Sequence, residues 1–344
     1  GFGGIQAARR LRRCAAENRA ETTITLVDRH PHTTMIPALP DVAGTRLAPE
    51  YLTAPIQALV GPDIEVVRQT VQQVDLEQRN VTTETAQWSY DYLVLATGSV
   101  TRFFGFDQHC DRIHTLDCLD DAQRIAREFK DYLQHAEKPH AVIAGGGYTG
   151  LELACNLRYA AAKRQKPCTV SIVELQDRIL PGMADTIRTF IEKRCNERQL
   201  TLLTGRSVQT FDGTDVTLSD DSRIENAFLC WSTGTKAGLK ITGSHEVIRD
   251  GRILVDRYLR IPQHPEVYAV GDVAAIQSGG EYVRKAVNFA YYSGLRAGKN
   301  IAAATAGRPQ KPFRPIDLGW VIPFCNTGAG KLFGTVTVKG RFPL

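Results

Sequence analysis

The sequence predicts an α/β fold built on two doubly wound parallel sheets, and three observations carry that prediction. First, one pattern occurs twice: a glycine turn, an amphipathic helix, then a β-rich strand that ends in a carboxylate. The first copy opens at Gly1-Phe2-Gly3-Gly4 and reaches Thr23–Asp28. The second opens at Gly145-Gly146-Gly147-Tyr148-Thr149-Gly150 and reaches Thr169–Glu174. In both, the turn glycine (Gly1 or Gly147) stands 27 positions before the carboxylate. Second, each half closes on an apolar strand running into Thr-Gly, at Thr97-Gly98 and at Thr233-Gly234. Third, short β-like runs alternate with helical patterns between those landmarks, as parallel sheets require.

The 344 residues suit two domains better than one core. Hydrophobic content of 43% and charged content of 23% are ordinary for a globular chain. No apolar run is long enough to suggest a spanning helix, and the start carries no signal-peptide pattern. A formal charge of +5 gives no reason to expect a nucleic-acid partner. In the first helix, Arg9, Arg10, Arg12 and Arg13 interleave with Ala7, Ala8, Leu11 and Ala15 at helical spacing, which makes them a solvated face. The eight cysteines never form a C-x-x-C and show no metal-ligand spacing, so they are expected as scattered, buried free thiols in a reducing compartment, with no metal site.

Taken in order, the first half offers Ile64–Val67, Val71–Leu76 and Tyr90–Leu95 as strands. A helix from about Asp120 to Leu133 leads into the second half, where Leu202-Leu203, Val216–Leu218 and Ala227–Trp231 are β-like. Pro265–Val270 is one more strand, entering a Gly271-Asp272 turn, and a long helical pattern covers about Arg284 to Thr305. Pro309, Pro312 and Pro315 then break the chain before a β-like tail. The expected domains are 1–108 with 265–310, an inserted 109–264, and 311–344 as the start of a further domain.

The second glycine turn is the complete one. Gly145-x-Gly147-x-x-Gly150 follows an apolar strand and opens a helix, with Glu174 downstream, which is the context a dinucleotide site requires. Gly145 permits the tight turn, Gly147 lets backbone approach the pyrophosphate, and Gly150 lets helix and strand pack. The free N–H groups at the helix start suit phosphates. Glu174 is expected to accept from the adenine-ribose 2′-OH, favouring NADH; a surface Glu closing a strand is the plainer reading. The first turn keeps Gly1, Gly4 and Asp28 but lacks the preceding strand and first glycine, so the chain is expected to be truncated there relative to a working protein.

Several segments together carry a resemblance. They are Met35-Ile36-Pro37-Ala38-Leu39-Pro40-Asp41-Val42-Ala43-Gly44-Thr45, Ala96-Thr97-Gly98-Ser99, Phe103-Phe104-Gly105, the Gly145–Glu152 box and Val270-Gly271-Asp272. From Gly1 to about Gly334 the chain resembles the FAD-dependent pyridine-nucleotide oxidoreductases, most closely the type II NADH dehydrogenases. The resemblance implies two Rossmann-type domains, the NADH domain inserted into the FAD domain. It assigns Gly1, Gly4, Asp28, Thr97, Gly98, Asp272 and Lys285 to FAD, and Gly145, Gly147, Gly150, Glu174 and Gly234 complete the cofactor-binding set. Glu152 is implied to face the nicotinamide and flavin; a first-turn carboxylate favoured by the helix dipole is the alternative. Asp272 has a turn-capping alternative.

The implied reaction is hydride transfer from NADH to flavin N5, with electrons passed to a quinone. The family's glutamine-bearing quinone motif falls on Val287–Gly294, where Asn288 and Tyr292 replace the two glutamines; a core helix without ligand role is the alternative reading. No cysteine lies between Cys14 and Cys110, which argues against a disulfide reductase. The resemblance also implies a cytoplasmic protein peripheral on the inner face of the cell membrane, held there by C-terminal helices beyond this sequence, and allows a homodimer. Two other functions stay open at this point: a flavoprotein reductase serving a ferredoxin-like acceptor, and a non-catalytic dinucleotide-binding module.

Overall fold

Three strands in the second half are buried along most of their length and mainly apolar, with Ser171 and Glu174 the buried polar exceptions, as suits a parallel sheet covered on both sides. The computed structural model, which describes residues 1–19, 21–244 and 247–341, forms that sheet. Its principal helices are α1 (Phe2–Glu17), α2 (Leu39–Ala43), α3 (Leu119–His135), α4 (Tyr148–Lys163), α5 (Asp185–Glu197) and α6 (Val287–Thr305). Its principal strands are β1 (Thr25–Asp28), β2 (Glu65–Arg68), β3 (Leu93–Leu95), β4 (His140–Ala144), β5 (Thr169–Glu174), β6 (Leu200–Thr204), β7 (Ala227–Trp231), β8 (His264–Ala269), β9 (Gly319–Phe324), β10 (Thr327–Leu332) and β11 (Val336–Gly340).

The chain divides into two compact units. One holds Gly1–Thr34, Thr53–Val100 and Thr235–Asp317; the other holds Met35–Leu52, Thr101–Gly234 and the chain from Leu318 onward. This differs from the expected boundaries in five places, two of them short: residues 101–108 fall in the second unit and residues 311–317 in the first. Residues 35–52 pack with the second unit, because Leu39, Val42 and Ala43 of α2 bury themselves against α3 and α4. Residues 318–341 also join the second unit: β9, β10 and β11 form an antiparallel sheet whose Ile322, Phe324 and Ala329 enter the same core. Residues 235–264 belong with the first.

In the second unit the parallel order is β6-β5-β4-β7. Register places Ala144 between Val173 and Trp231, so all three strands end level where the glycine turn begins. Helix α4 returns over β4 and β5. In the first unit the parallel pairs β1 with β2 and β3 with β8 lie in separate sheets, instead of the single sheet expected there. No described strand bridges the two pairs. Helix α3 is one or two residues longer at each end than expected, and α6 begins at Val287, three residues later than Arg284.

Helices α1 and α6 of the first unit meet backbone to backbone. A Cβ placed on Gly294 would stand 2.1 Å from the Gly3 carbonyl oxygen, and one on Gly298 would stand 2.5 Å from that of Ala7. The Gly294-x-x-x-Gly298 spacing puts both on one face of α6, where only hydrogen atoms fit. The arginine face of α1 behaves as surface: Arg12 pairs with Asp63 at 3.2 Å, and Arg13 with Glu17 one turn on. Such exposed pairs add little stability.

The cysteines correct a second expectation. Cys155 and Cys325 form a disulfide across 170 residues, because the β9–β10 hairpin lies on α4. Spacing rules detect only nearby cysteines, and this pair is made by the fold. Of the remaining six, Cys168, Cys195 and Cys230 are buried, while Cys14, Cys110 and Cys118 are partly exposed.

Gly294→Ala forces α1 and α6 apart and is expected to cost about 1–3 kcal/mol, as overpacking does. A urea midpoint unchanged from the parent protein would refute the backbone contact.

Candidate functional site

The second unit builds its cradle from the ends of β4, β5 and β7. Gly145 continues β4 by donating to the Val173 carbonyl at 2.8 Å, and Ser232 donates to the Ala144 carbonyl at 2.7 Å. The chain then turns with φ +108° at Gly145, a conformation open to glycine. A Cβ there would lie 2.4 Å from the Ser232 oxygen, and one on Gly150 would lie 2.0 Å from the Gly145 oxygen. Around Gly147, by contrast, no heavy atom stands within 4 Å of such a Cβ. The turn is therefore closed beneath and open above Gly147, where α4 starts without a side-chain cap. This fits a pyrophosphate resting on uncapped N–H groups.

Glu174 ends β5 beside the turn and is 8% exposed. Its Oε2 accepts from the Gly146 N–H at 2.7 Å and its Oε1 from the Gln176 N–H at 2.9 Å. The carboxylate thus braces the glycine turn. Gly234 lies at the exit of the β7 loop, its carbonyl accepting from the Arg102 N–H at 2.9 Å, with the Phe104 ring against it.

Glu152 stands early in α4 and is partly buried. Burial pushes its carboxyl up to about 8, and the Asp41 carboxylate on α2 pushes the same way. Helix α2 can come that close because Gly44 rests on Asn156, where a Cβ would stand 2.6 Å from the Asn156 Cβ. Asn156 in turn donates to the Glu152 carbonyl at 3.0 Å. Burial outweighs the helix dipole here, so Glu152 holds its proton at neutral pH. Asp41 and Gly44 had no assigned role in the sequence reading; the signal was their place in the Met35–Thr45 segment.

The first unit repeats the design in part. The Gly1 nitrogen lies 3.4 Å from Asp28 Oδ2, and Asp28 Oδ1 accepts from the His30 N–H at 3.0 Å. Gly4 packs on Ala96, next to the exposed Thr97, and Gly98 turns with φ +68° and open space around it. Gly271 turns with φ +71° and donates to Ser293 Oγ on α6 at 3.1 Å, which aims the next residue, Asp272. Burial pushes the Asp272 carboxyl up, opposed by Lys285 and Arg252. Lys285 donates to Thr235 Oγ1, and Arg252 to the Val283 carbonyl at 2.7 Å. Lys285 and Arg252 thus act electrostatically on Asp272 ahead of the start of α6, a mix of charges that suits a flavin nucleotide.

Asn288 and Tyr292 share one face of α6. The Asn288 amide donates to the Ile316 carbonyl at 3.2 Å, so it is already committed in part. Tyr292 is 48% exposed, its ring edge-on to Tyr291.

Two glycine turns, each closed by a carboxylate at the end of its second strand, define a protein of paired dinucleotide-binding folds. The chain belongs to the pyridine nucleotide-disulphide oxidoreductase family, whose model matches residues 1–290. It is 25% identical over 374 residues to the type II NADH:quinone oxidoreductase Ndh of Mycobacterium tuberculosis, covering 99% of this chain and 79% of the relative. It is 24% identical over 360 residues to the type II NADH:quinone oxidoreductase of Staphylococcus haemolyticus, covering 98% and 88%. In fold it matches the structure of NDH2 from Plasmodium falciparum in complex with NADH, with a TM-score of 0.85, 16% identity, and coverage of 99% and 90%.

The Glu152 carboxyl gives a pH signature. Its folded value lies above the ordinary carboxyl value of 4.5, so the folded state keeps a proton that the unfolded chain releases. Stability from this group is full below about 4.5, falls as pH rises, and levels off above about 8. Melting temperature measured against pH should carry that slope in the parent and lose it in Glu152→Gln. Asp41→Asn should move the upper end of the slope to lower pH. Parallel curves for parent and Gln variant would count against the assignment.

Proposed function

We propose that this chain is a flavin-dependent NADH:quinone oxidoreductase that takes NADH in its second unit and FAD in its first. The supporting observation is the second cradle, complete with its carboxylate, in a chain whose relatives along almost its whole length are named for that activity. FAD, when bound, supplies the chemistry that accepts a hydride and gives up two electrons.

The chain's own residues bind, orient and hold protons. The backbone from Gly145 to Gly150 receives the pyrophosphate of NADH, and Glu174 accepts from the ribose hydroxyl, where a 2′-phosphate would meet a carboxylate. In the first unit, Gly1 and Gly4 with Asp28 receive the ADP half of FAD, while Thr97 and Gly98 line its length. Asp272 takes the ribityl hydroxyls, and the start of α6 with Lys285 faces the pyrimidine edge, where positive charge suits a reduced ring. Glu152 holds a proton at neutral pH, one of two that a quinone needs on reduction. Asn288 and Tyr292 are placed as hydrogen-bond partners for the quinone carbonyls. No cysteine occurs between Cys14 and Cys110, the stretch that holds the Met35–Gly44 segment.

Among the described residues no helix is long and apolar enough to cross a membrane. Since quinones dissolve in lipid, the working place we propose is peripheral, at the inner face of the cell membrane. A homodimer there is part of the same proposal, to be read by sedimentation.

Stopped-flow absorbance tests the reaction on the flavin-loaded protein. NADH should bleach the yellow band, and a soluble quinone should restore it rapidly. Recovery with an iron–sulfur protein but not with any quinone would overturn the acceptor. In steady-state rates, Glu174→Ala should narrow the preference for NADH over NADPH by roughly tenfold or more, as loss of a like-charge clash implies.

A further inference from the structure

The disulfide between Cys155 and Cys325 joins two elements of known consequence in the second unit, with Cα atoms 6.0 Å apart. Cys155 is buried in α4, three residues beyond Glu152. Cys325 is partly exposed at the turn between β9 and β10, in a left-handed conformation with φ +55°. The same hairpin touches α4 a second time, at its first residue, where Trp320 meets the Tyr148 ring edge-on at 5.6 Å. The bond therefore fastens the hairpin along the helix that follows the glycine turn.

A small cavity of about 50 Å³ opens beside Cys325. Its lining includes three arginines, Arg194, Arg198 and Arg341, and one acidic residue, Glu197, whose carboxylate pairs with the Arg194 guanidinium. Positive charge at a sulfur draws in anions and favours a thiolate. Of the two cysteines, Cys325 is the more exposed.

We propose that Cys155–Cys325 is a reversible thiol–disulfide exchange site, opened at Cys325 by a small thiol that carries carboxylate groups. The thiolate of that small molecule attacks the Cys325 sulfur; a mixed disulfide forms, and Cys155 leaves with the bond's electron pair and takes the proton the small thiol gave up. A second molecule of the thiol attacks the small-molecule sulfur of the mixed disulfide, freeing Cys325 as a thiol. In sum, two small thiols become one small disulfide, and the protein gains two thiols. The reverse reaction, driven by the small disulfide, closes the staple. Opening releases β9 from α4 near Tyr148. Because the bond closes a loop of 170 residues, opening also lowers the melting temperature. The inference stands apart from the identity of the electron acceptor, so either can fail without the other.

The test uses the full chain loaded with FAD and glutathione as the acidic thiol, with cysteamine as its cationic counterpart. After treatment with glutathione disulfide, thiol titration in denaturant should find the six unpaired cysteines, and after reduction all eight. At equal thiolate concentration, glutathione should open the bond about tenfold faster than cysteamine, an advantage that salt suppresses. The double variant Arg198→Glu with Arg341→Glu should lose that advantage while NADH bleaches the flavin as before. Eight free thiols after the oxidising treatment would overturn the proposal. So would cysteamine matching glutathione, or the charge-reversed variant keeping the parent's preference.

Discussion

Both units depend on backbone touching backbone at positions where any side chain would intervene. In the second, Gly150 lies against the Gly145 carbonyl, which brings the start of α4 onto the end of β4. In the first, Gly294 lies against the Gly3 carbonyl and presses α6 onto α1. Each contact sets where a helix begins relative to a strand end or a partner helix. That placement decides whether uncapped N–H groups collect around one open space. Packing interiors are dense enough that even one added methyl group has nowhere to go.

From that constraint the first and second cradles follow with different completeness. The second has three level strand ends, a turn closed from below, and a buried carboxylate bracing it. The first has two separate strand pairs, and its turn is held by Asp28 and by the α1–α6 contact. Gly271 and Ser293 then link the last strand's exit to α6, so Asp272 and Lys285 are brought to the same place by the helix pairing.

Much of this was legible because it is local. The equal spacing of Gly1 to Asp28 and Gly147 to Glu174 reflects one helix of fixed length returning to a neighbouring strand, so counting residues suffices. The β4 and β7 strands show their double burial as nearly unbroken apolar runs, and β5 as a run broken only at Ser171 between Val170 and Val173. What escaped is what depends on distant partners. Leu39 and Val42 fall within the expected first domain, and only the presence of α3 and α4 shows that the second unit covers them. Cys155 gives no hint of Cys325, since only the hairpin lying on α4 makes them neighbours. The Gly294-x-x-x-Gly298 face looks like a weakness in a helix until α1 is set against it. Glu152 stood out only through the resemblance, with a first-turn surface carboxylate as the alternative, and its place beside Asp41 is a property of helix packing that periodicity does not show.

The two glutamates of the second unit show how position alone divides one chemistry into two roles. Glu174 sits at a strand end where two backbone N–H groups already reach its oxygens, so it is held as a fixed acceptor. Glu152 sits on a helix wall, its surroundings poor in water and shared with another carboxylate, so the neutral acid is the favoured form. A fixed acceptor is suited to recognising a hydroxyl and repelling a phosphate, and a protonated acid is suited to giving up a proton when negative charge builds nearby. Neither role requires a special side chain. The glycine turn places Glu174 among backbone N–H groups, while the packing of α2 on α4 at Gly44 and Asn156 sets Glu152 beside Asp41.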